Sequence, residues 1–440
     1  MTHATQREAY PYFVLAVLLF GLQLIFGILT IAKYIWPDPL LYVLPFNQSR
    51  AIHINLLVFW LLLGFMGGTY YMIPEESETE LFSPLIARIQ FWLIAAAGVA
   101  SIVSYLLGYS WGMPFLEQPT AFKAVIVVAA LMFLYNVFRT VLKTGKWTAI
   151  QGVLLGGMVF LAVMFLFGIV FMKNLATQYF FWWWVIHLWV EGAWELIAGA
   201  ILAFVLLKLT GIDRPIIEKW LYIEVGLVLF TGIVGTGHHY YWIGTPAYWY
   251  WWGGIFSALE PLPILFMVLD TMRHVREKKL VIKNRVALHW AVGGAWFHFV
   301  GAGVWGFGHT LPQINVWTHG TQITAAHGHM AFFGAYATLN LMMIYFTLPK
   351  LRGWEDYSQS RGIAAFWIMI SGMLLMGLAL TVSGIVQTYF NRIIGIDFLT
   401  TQEYMRLWFE VALASAALFA AGAYIFIYDF FKAGRAGART

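Results

Sequence analysis

Twelve long apolar runs, separated by short loops, occupy most of this chain. A helix needs about 20 mostly apolar residues to cross the hydrocarbon core of a bilayer. Backbone groups in lipid must be satisfied inside the segment, which favours helices. The predicted spans are 11–33, 51–73, 88–108, 122–142, 148–172, 180–208, 218–243, 248–271, 286–309, 321–348, 361–386 and 403–430. We therefore expect an all-α, polytopic membrane bundle of twelve transmembrane helices, forming one transmembrane domain over residues 1–440.

The distribution of basic residues predicts the orientation of the bundle. With the N-terminus in the cytoplasm, the inner loops and flanks hold twenty of the 26 lysines and arginines. The outer side keeps six: Lys33, Arg50, Lys123, Lys173, Arg392 and Arg406. An excess of positive charge marks cytoplasmic loops, so we expect both termini inside. The basic stretch between Arg273 and Arg285 is then a topology signal, and we expect no nucleic-acid partner.

The chain contains no cysteine. This excludes disulfides, thiolate-bound metals, iron–sulfur clusters and covalent haem attachment through a CxxCH motif.

Six histidines and three glutamates lie within the predicted spans, in the half nearer the outer face. These are His53, His187, Glu191, Glu195, His238, His239, Glu260, His327 and His329. Ionisable residues inside a membrane are costly and usually functional. Such residues at one depth, contributed by several helices, form a layer that predicts a buried cofactor cluster. The other histidines are given no ligand role, although His309 and His319 are candidates to hydrogen-bond cofactor carboxylates.

The spacing of His327 and His329 predicts two cofactors. Residues two apart on a helix point to opposite sides, because each residue turns the helix by about 100°. The two imidazoles therefore suit two haems, and Gly328 between them lets flat macrocycles approach the backbone. His53 is a candidate second axial ligand for one haem, and the other haem keeps an open face for substrate.

His187, Glu191 and Glu195 follow an i, i+4, i+8 pattern, which predicts one shared helix face. His238 and His239 are adjacent, so both can bind one metal only if the helix departs from α geometry, which the preceding glycines permit. Three imidazoles alone suit copper, zinc or iron, and the Glu191 carboxylate shifts the preference towards ferrous iron. Glu195 and Glu260 are then candidate proton carriers.

Three segments carry the most specific motifs: Trp-Trp-Trp-Val-Ile-His-Leu-Trp-Val-Glu-Gly-Ala-Trp-Glu (182–195), Gly-Thr-Gly-His-His-Tyr-Tyr-Trp-Ile-Gly (235–244) and His-Gly-Thr-Gln-Ile-Thr-Ala-Ala-His-Gly-His (319–329). These segments resemble the large subunit of cytochrome c-dependent nitric oxide reductases, within the haem–copper oxidase superfamily. The resemblance runs over nearly the whole chain and implies a respiratory, electron-transporting enzyme that reduces nitric oxide.

The resemblance also implies a role for each residue of the layer. His53 and His329 would ligate a low-spin haem b, and His327 the high-spin haem b3. The non-haem iron would be held by His187, His238, His239 and Glu191. Glu191, Glu195 and Glu260 would act in catalysis, and Glu117 would help to bind calcium beside the haem carboxylates.

The resemblance further implies a bacterial inner-membrane location, with the active site in the outer (periplasmic) half and lipid around the bundle. A separate membrane-anchored cytochrome c subunit would dock on the outer face.

Three rival functions fit the residues less well. Oxygen-reducing relatives carry a redox tyrosine either at the position of Glu191 or at that of Gly232, and neither residue is a tyrosine here. Quinol-dependent nitric oxide reductases usually have extra sequence before the first common helix, which this chain enters by about residue 11. A non-enzymatic haem carrier has no need of three imidazoles and a carboxylate facing an open haem.

Overall fold

The computed structural model describes residues 1–37, 42, 44–111, 113–353 and 358–432, and no strand occurs among them. Helical segments follow one another in an order that matches the twelve predicted spans. They are α1 (Ala4–Ile35), α2 (Phe46–Glu76), α3 (Pro84–Leu106), α4 (Thr120–Leu142), α5 (Ala149–Phe167), α6 (Leu175–Thr210), α7 (Arg214–His239), α8 (Tyr248–Glu277), α9 (285–310), α10 (Gln322–Arg352), α11 (Gln359–Ile394) and α12 (Phe398–Lys432). A short helix, Pro312–Thr318, lies between α9 and α10.

Eleven helices within the described ranges are long and apolar enough to cross a membrane. The exception is α9, which is helical without a break but is not among those eleven. The all-helical membrane bundle is thus confirmed, whereas a twelfth span over 286–309 stays a prediction. The side on which the termini lie also stays a prediction.

Several helix ends follow from local sequence. The Ser83 hydroxyl accepts a hydrogen bond from the Ile86 backbone N–H, and Pro84 follows it at the first helical position of α3. Thr148 and Gln151 form a reciprocal capping box at the start of α5. Gly211 ends α6 with φ 65°, in the left-handed region where glycine is favoured.

The helices α2, α6 and α10 form the centre of the bundle. Most residues in their apolar stretches are buried, against roughly a third to a half in the other spans. These three helices also carry His53, His187, Glu191, His327 and His329. Five of the candidate ligands therefore project from the most enclosed helices of the bundle.

Five stretches of π-helix interrupt these rods within the described residues, and the sequence pattern does not predict them. They are Trp189–Trp194 in α6, Val228–Gly232 in α7, Phe299–Trp305 in α9, Phe333–Ala337 in α10 and Thr388–Ile394 in α11. Isolated π turns are rare and occur mostly at functional sites. The first of them contains Glu191.

The structure differs from the sequence expectation at Glu260. The eighth span is expected to be continuous, but the helix is interrupted at 258–261, between Tyr248–Ser257 and Leu262–Glu277. Pro261 and Pro263 account for the interruption, because proline lacks a backbone N–H and its ring clashes with the preceding turn. Glu260 thus lies on irregular backbone at the centre of α8.

Candidate metal centre

Four side chains bring one ligand atom each into a space where these atoms all lie within 4.8 Å of one another. They are His187 and Glu191 from α6 and His238 and His239 from α7, and we call them the four-ligand cluster. His187 Nδ1 lies 3.4 Å from a Glu191 carboxylate oxygen, and the Nε2 atoms of His238 and His239 are 3.0 Å apart. Two nitrogens that ligate one metal at about 2 Å lie about 3 Å from each other. The cluster therefore has the size that a single metal ion requires.

Hydrogen bonds outside the cluster fix two of its imidazoles. His187 Nε2 donates to the carbonyl of Gly232 (2.6 Å), which leaves Nδ1 to face the cluster. Ser257 donates its hydroxyl proton to the carbonyl of Gly253 (2.7 Å), so it can only accept at His238 Nδ1 (2.7 Å). The lone pair of His238 is then on Nε2, towards the cluster. Metal-ligating histidines are usually held by such bonds through their second nitrogen.

The end of α7 departs from α geometry where the adjacent histidines lie. Thr236–His239 forms a 3-10 turn, and the two imidazole centroids are 4.2 Å apart. Gly253 of α8 makes this possible, because a Cβ there would overlap the backbone of His238. The expected local departure from α-helix is confirmed, and α8 approaches closely enough to position Ser257.

A tyrosine on α10 supports the π turn that carries Glu191. The hydroxyl of Tyr336, a buried residue, donates to the carbonyl of Val190 (2.6 Å), which precedes Glu191 in the chain. The ring packs edge-on against Trp194 at a centroid distance of 5.2 Å. Tyr336 and Ser257 carry no spacing or motif that could have marked them in the sequence.

We predict that Tyr336→Phe lowers the metal affinity of the four-ligand cluster by about 10- to 100-fold, as loss of an outer partner typically does. The phenyl ring keeps the packing, but the buried Val190 carbonyl loses the hydrogen bond from the Tyr336 hydroxyl. Tyr71→Phe is the matched control, because Tyr71 is equally buried and its hydroxyl has no hydrogen-bond partner among the described residues. Metal titration of both variants is the measurement. Equal affinity in Tyr336→Phe and the original protein would contradict the assignment.

His53 of α2 and His329 of α10 face each other with ring centroids 6.1 Å apart. An imidazole nitrogen lies about 2 Å from the metal that it ligates, so two rings on opposite sides of one iron have centroids about 6 Å apart. His53 Nδ1 donates to the Gln23 carbonyl (3.1 Å) and His329 Nδ1 to the Ala325 carbonyl (2.8 Å). Each ring thus keeps Nε2 for a metal, and the pair fits a six-coordinate haem iron.

His327 has different neighbours. Its Nδ1 donates to the carbonyl of Gly301 in the π turn of α9 (3.0 Å), and its ring lies 6.3 Å from that of His309. The two histidines of α10 therefore face different helices, α9 for His327 and α2 for His329. A Cβ at Gly328 would meet no atom within 4 Å, so the backbone between the two imidazoles is open to a flat ligand.

Glu195 and Glu260 are buried but are not among the ligands of the cluster. Glu195 lies 3.6 Å from His298 Nε2, and Glu260 Oε1 lies 3.1 Å from where a Cβ at Gly235 would be. The expectation that Glu195 shares a face with His187 and Glu191 assumed a regular α-helix. The π turn Trp189–Trp194 contains Glu191 and ends directly before Glu195, so the helix is not regular there and the shared face stays a prediction.

Glu117 lies between α3 and α4 and is buried. Its carboxylate accepts a hydrogen bond from the Asn55 side-chain amide N–H (2.8 Å). The Gln118 side-chain amide donates to the Oδ1 oxygen of Asn55 (2.6 Å). Burial raises the pKa of Glu117 to about 6. Within the described residues, Glu117 is not part of a group of three or more histidine or acidic side chains.

His309 and His319 have protein partners. His309 Nδ1 lies 3.0 Å from the Thr318 hydroxyl and its Nε2 3.0 Å from the Thr324 hydroxyl. The His319 ring stacks on Trp242 at 5.1 Å. A role for either histidine towards cofactor carboxylates stays a prediction.

Comparison with known proteins agrees with this geometry. Residues 7–418 match the family described as cytochrome c and quinol oxidase polypeptide I. The chain is 46% identical to a nitric oxide reductase subunit of Stutzerimonas stutzeri, over 98% of this chain and 95% of that protein. It is 23% identical to the cbb3-type cytochrome c oxidase subunit CcoN1 of the same organism, over 92% of this chain and 89% of that one.

A solved cryo-EM structure of a heme-copper terminal oxidase dimer has the same fold. It superimposes with a TM-score of 0.75 at 15% identity, over 97% of this chain and 84% of that chain. The family match, the relative of nearly equal length and the apolar helices make this an integral membrane protein. The chain belongs to the cytochrome c and quinol oxidase polypeptide I family.

Proposed function

We propose that this chain is the catalytic subunit of a nitric oxide reductase, which converts two NO, two electrons and two protons into N2O and H2O. One observation carries the proposal: Glu191 lies among three imidazoles in the four-ligand cluster, where a carboxylate favours iron over copper. The relative of nearly equal length, which is named as a nitric oxide reductase subunit, supports the same activity.

Oxygen-reducing relatives carry a redox tyrosine at one of two positions, and this chain has no tyrosine at either. This difference favours NO reduction over oxygen reduction. Residue 191 is a glutamate and residue 232 a glycine. A Cβ at Gly232 would lie 3.2 Å from the Glu191 carbonyl and 3.9 Å from Glu260 Oε1. A side chain at position 232 would therefore contact Glu191 and Glu260, but residue 232 is a glycine and has no side chain. Quinol-dependent nitric oxide reduction remains the alternative, and the choice of electron donor decides it.

The residues present fit the cofactors of such an enzyme. His53 and His329 would hold the low-spin haem b, His327 the high-spin haem b3, and the four-ligand cluster a non-haem iron. When bound, the high-spin haem and the non-haem iron would together orient and polarise two substrate molecules.

Glu117 would help to bind calcium. Its carboxylate and the Asn55 and Gln118 amides supply the oxygen atoms that calcium prefers. Other ligands, such as haem carboxylates or residues of a partner protein, would complete the coordination.

The chain's own residues supply orientation and protons. Gly232 and Ser257 hold His187 and His238 so that one lone pair of each faces the cluster. Glu195 and Glu260 are buried, Glu195 one turn after Glu191 on α6 and Glu260 beside Gly232 and Gly235 of α7. These two carboxyls would carry the two protons that the reaction consumes.

We further propose twelve spans with both termini in the cytoplasm, in the inner membrane of a bacterium. The active site would then lie in the outer half of the bilayer. The relative is named as one subunit of its reductase, which supports the presence of at least one further chain in the complex. A membrane-anchored cytochrome c subunit on the outer face would deliver electrons to the haem at His53 and His329.

The test is anaerobic NO consumption by the purified complex, with N2O measured as the product and metals measured on the same sample. We expect one N2O for every two NO, haem b together with non-haem iron, and no copper. Copper in place of non-haem iron, or oxygen reduction without N2O formation, would refute the proposal.

A further inference from the structure

A second group of ionisable side chains lies next to the four-ligand cluster, on three different helices. It consists of Glu195 of α6, Glu224 of α7 and His298 of α9, which are 4%, 1% and 1% exposed. We call it the acid–imidazole group. The sequence pattern assigns no role to His298, and Glu224 lies outside the layer of candidate ligands.

His298 is buried without an ordinary hydrogen bond. Its Nε2 lies 3.6 Å from Glu195 Oε1, and neither ring nitrogen has a hydrogen-bond partner among the described residues. The second oxygen of Glu195 is also unpaired there. An unsatisfied buried polar group lowers stability, so an imidazole kept in this state needs a reason other than stability.

Glu224 extends the group away from the metal cluster. Its two carboxyl oxygens contact the backbone at Gly199, and a Cβ at that position would overlap both of them. Gly199 lies one turn beyond Glu195 on α6, and both oxygens of Glu224 lack a hydrogen-bond partner among the described residues. The glycine thus admits a third ionisable group beside Glu195.

Glu195 and Gly199 follow Glu191 along α6. The group therefore lies farther than Glu191 from the end of α6 that we propose to be the outer one. At about 1.5 Å per residue, Gly199 lies about 12 Å beyond Glu191 along the helix axis. No lysine or arginine pairs with Glu195, Glu224 or His298 in the described part of the chain. Two carboxyls and an imidazole without a fixed counter-ion can exchange a proton among themselves.

We propose that Glu195, His298 and Glu224 form a proton reservoir, which stores one exchangeable proton and releases it to the site during turnover. The proposal rests on the proposed function. Each N2O formed requires two protons. One would come from the reservoir and one from the medium, and a second proton from the medium would then refill the reservoir, so that two are taken up in total.

The experiment follows proton uptake and haem oxidation together in the first turnover. The fully reduced complex is mixed with NO in a weakly buffered medium that contains a pH-indicator dye. We expect about one of the two protons to be taken up after haem oxidation is complete. In His298→Asn and Glu224→Gln, this delay should disappear, and haem oxidation should slow by about 10-fold, less than the roughly 10²–10⁴-fold that a directly acting acid supplies.

Two variants on the same helices serve as controls. Glu218→Gln alters an acid of α7 that is paired with Arg214, and His289→Asn alters a histidine of α9 that bonds the Arg285 carbonyl. Both should keep the delay. Haem spectra and iron content are measured for every variant, so that loss of a cofactor is separated from loss of the stored proton.

Proton uptake that keeps pace with haem oxidation in the unaltered complex would overturn the reservoir while leaving NO reduction intact. The same holds if both variants keep the delay with full metal content. Absence of NO reduction in the unaltered complex would instead refute the proposed function. If His298→Asn loses cofactors, the isosteric Glu224→Gln variant decides the question.

Discussion

Replacing Glu191 by alanine is expected to remove the non-haem iron and to lower NO turnover by at least about 100-fold, while the spectra of both haems persist. Loss of a residue that hydrogen-bonds a metal ligand already lowers metal affinity or activity by about 10- to 100-fold. Loss of the ligand itself should lower them at least as much. The Glu191 carboxylate lies 3.4 Å from His187 Nδ1 and 3.9 Å from His239 Nε2, so it is the one acidic member of the cluster.

Iron content per haem and N2O production by the purified variant are the measurements. Glu191→Asp keeps a carboxylate on a shorter side chain and should recover part of the iron. Glu410→Ala removes a glutamate that pairs with Arg406 on the surface of α12, and it should change neither quantity. Full iron content together with unaltered turnover in Glu191→Ala would defeat the assignment of this residue as a ligand.

Alanine at His327 and alanine at His329 are expected to remove different haems, although the two residues are only two positions apart. His329 lies opposite His53 at 6.1 Å, whereas His327 bonds to Gly301 of α9. His329→Ala should therefore lose the low-spin signal and His327→Ala the high-spin signal, each by most of its amplitude.

Optical and electron paramagnetic resonance spectra of the two variants distinguish these outcomes. His53→Ala is a second test, because it should reproduce the loss seen in His329→Ala and leave the high-spin haem in place. His289→Ala, on the exposed part of α9, should retain both haems. If His327→Ala and His329→Ala lost the same signal, the assignment of separate cofactors to the two sides of α10 would be wrong.

The helices and the ligand set were predictable because both depend on short-range patterns. Runs of apolar residues predict helices in lipid irrespective of their partners. His238 and His239 are adjacent, and His187 and Glu191 are one turn apart, so their mutual proximity follows from helix geometry. The pairing of His53 with His329 was implied by the family resemblance alone, and the structure brings the two rings together.

The interruption at Glu260 and the π turn that contains Glu191 were not predicted. The two prolines at 261 and 263 were visible in the sequence, but a proline can kink a helix or end it, and neighbouring helices decide which. The π turn between Glu191 and Glu195 has no sequence signature of its own. The shared face of His187, Glu191 and Glu195 was derived for a regular α-helix and stays a prediction.

The sequence by itself determined the helical bundle, the absence of thiol chemistry and the layer of histidines and glutamates that are the candidate iron ligands. The tertiary structure alone decided how that layer is assembled: the π turn at Glu191, the Tyr336 hydroxyl that holds it, the Ser257 hydroxyl that orients His238, and the Gly199 surface that receives Glu224. The reason is that π and 3-10 turns are less favourable than α-helix and persist only where groups from other helices compensate. Tyr336 and Val190 are 146 residues apart, and no local pattern connects them.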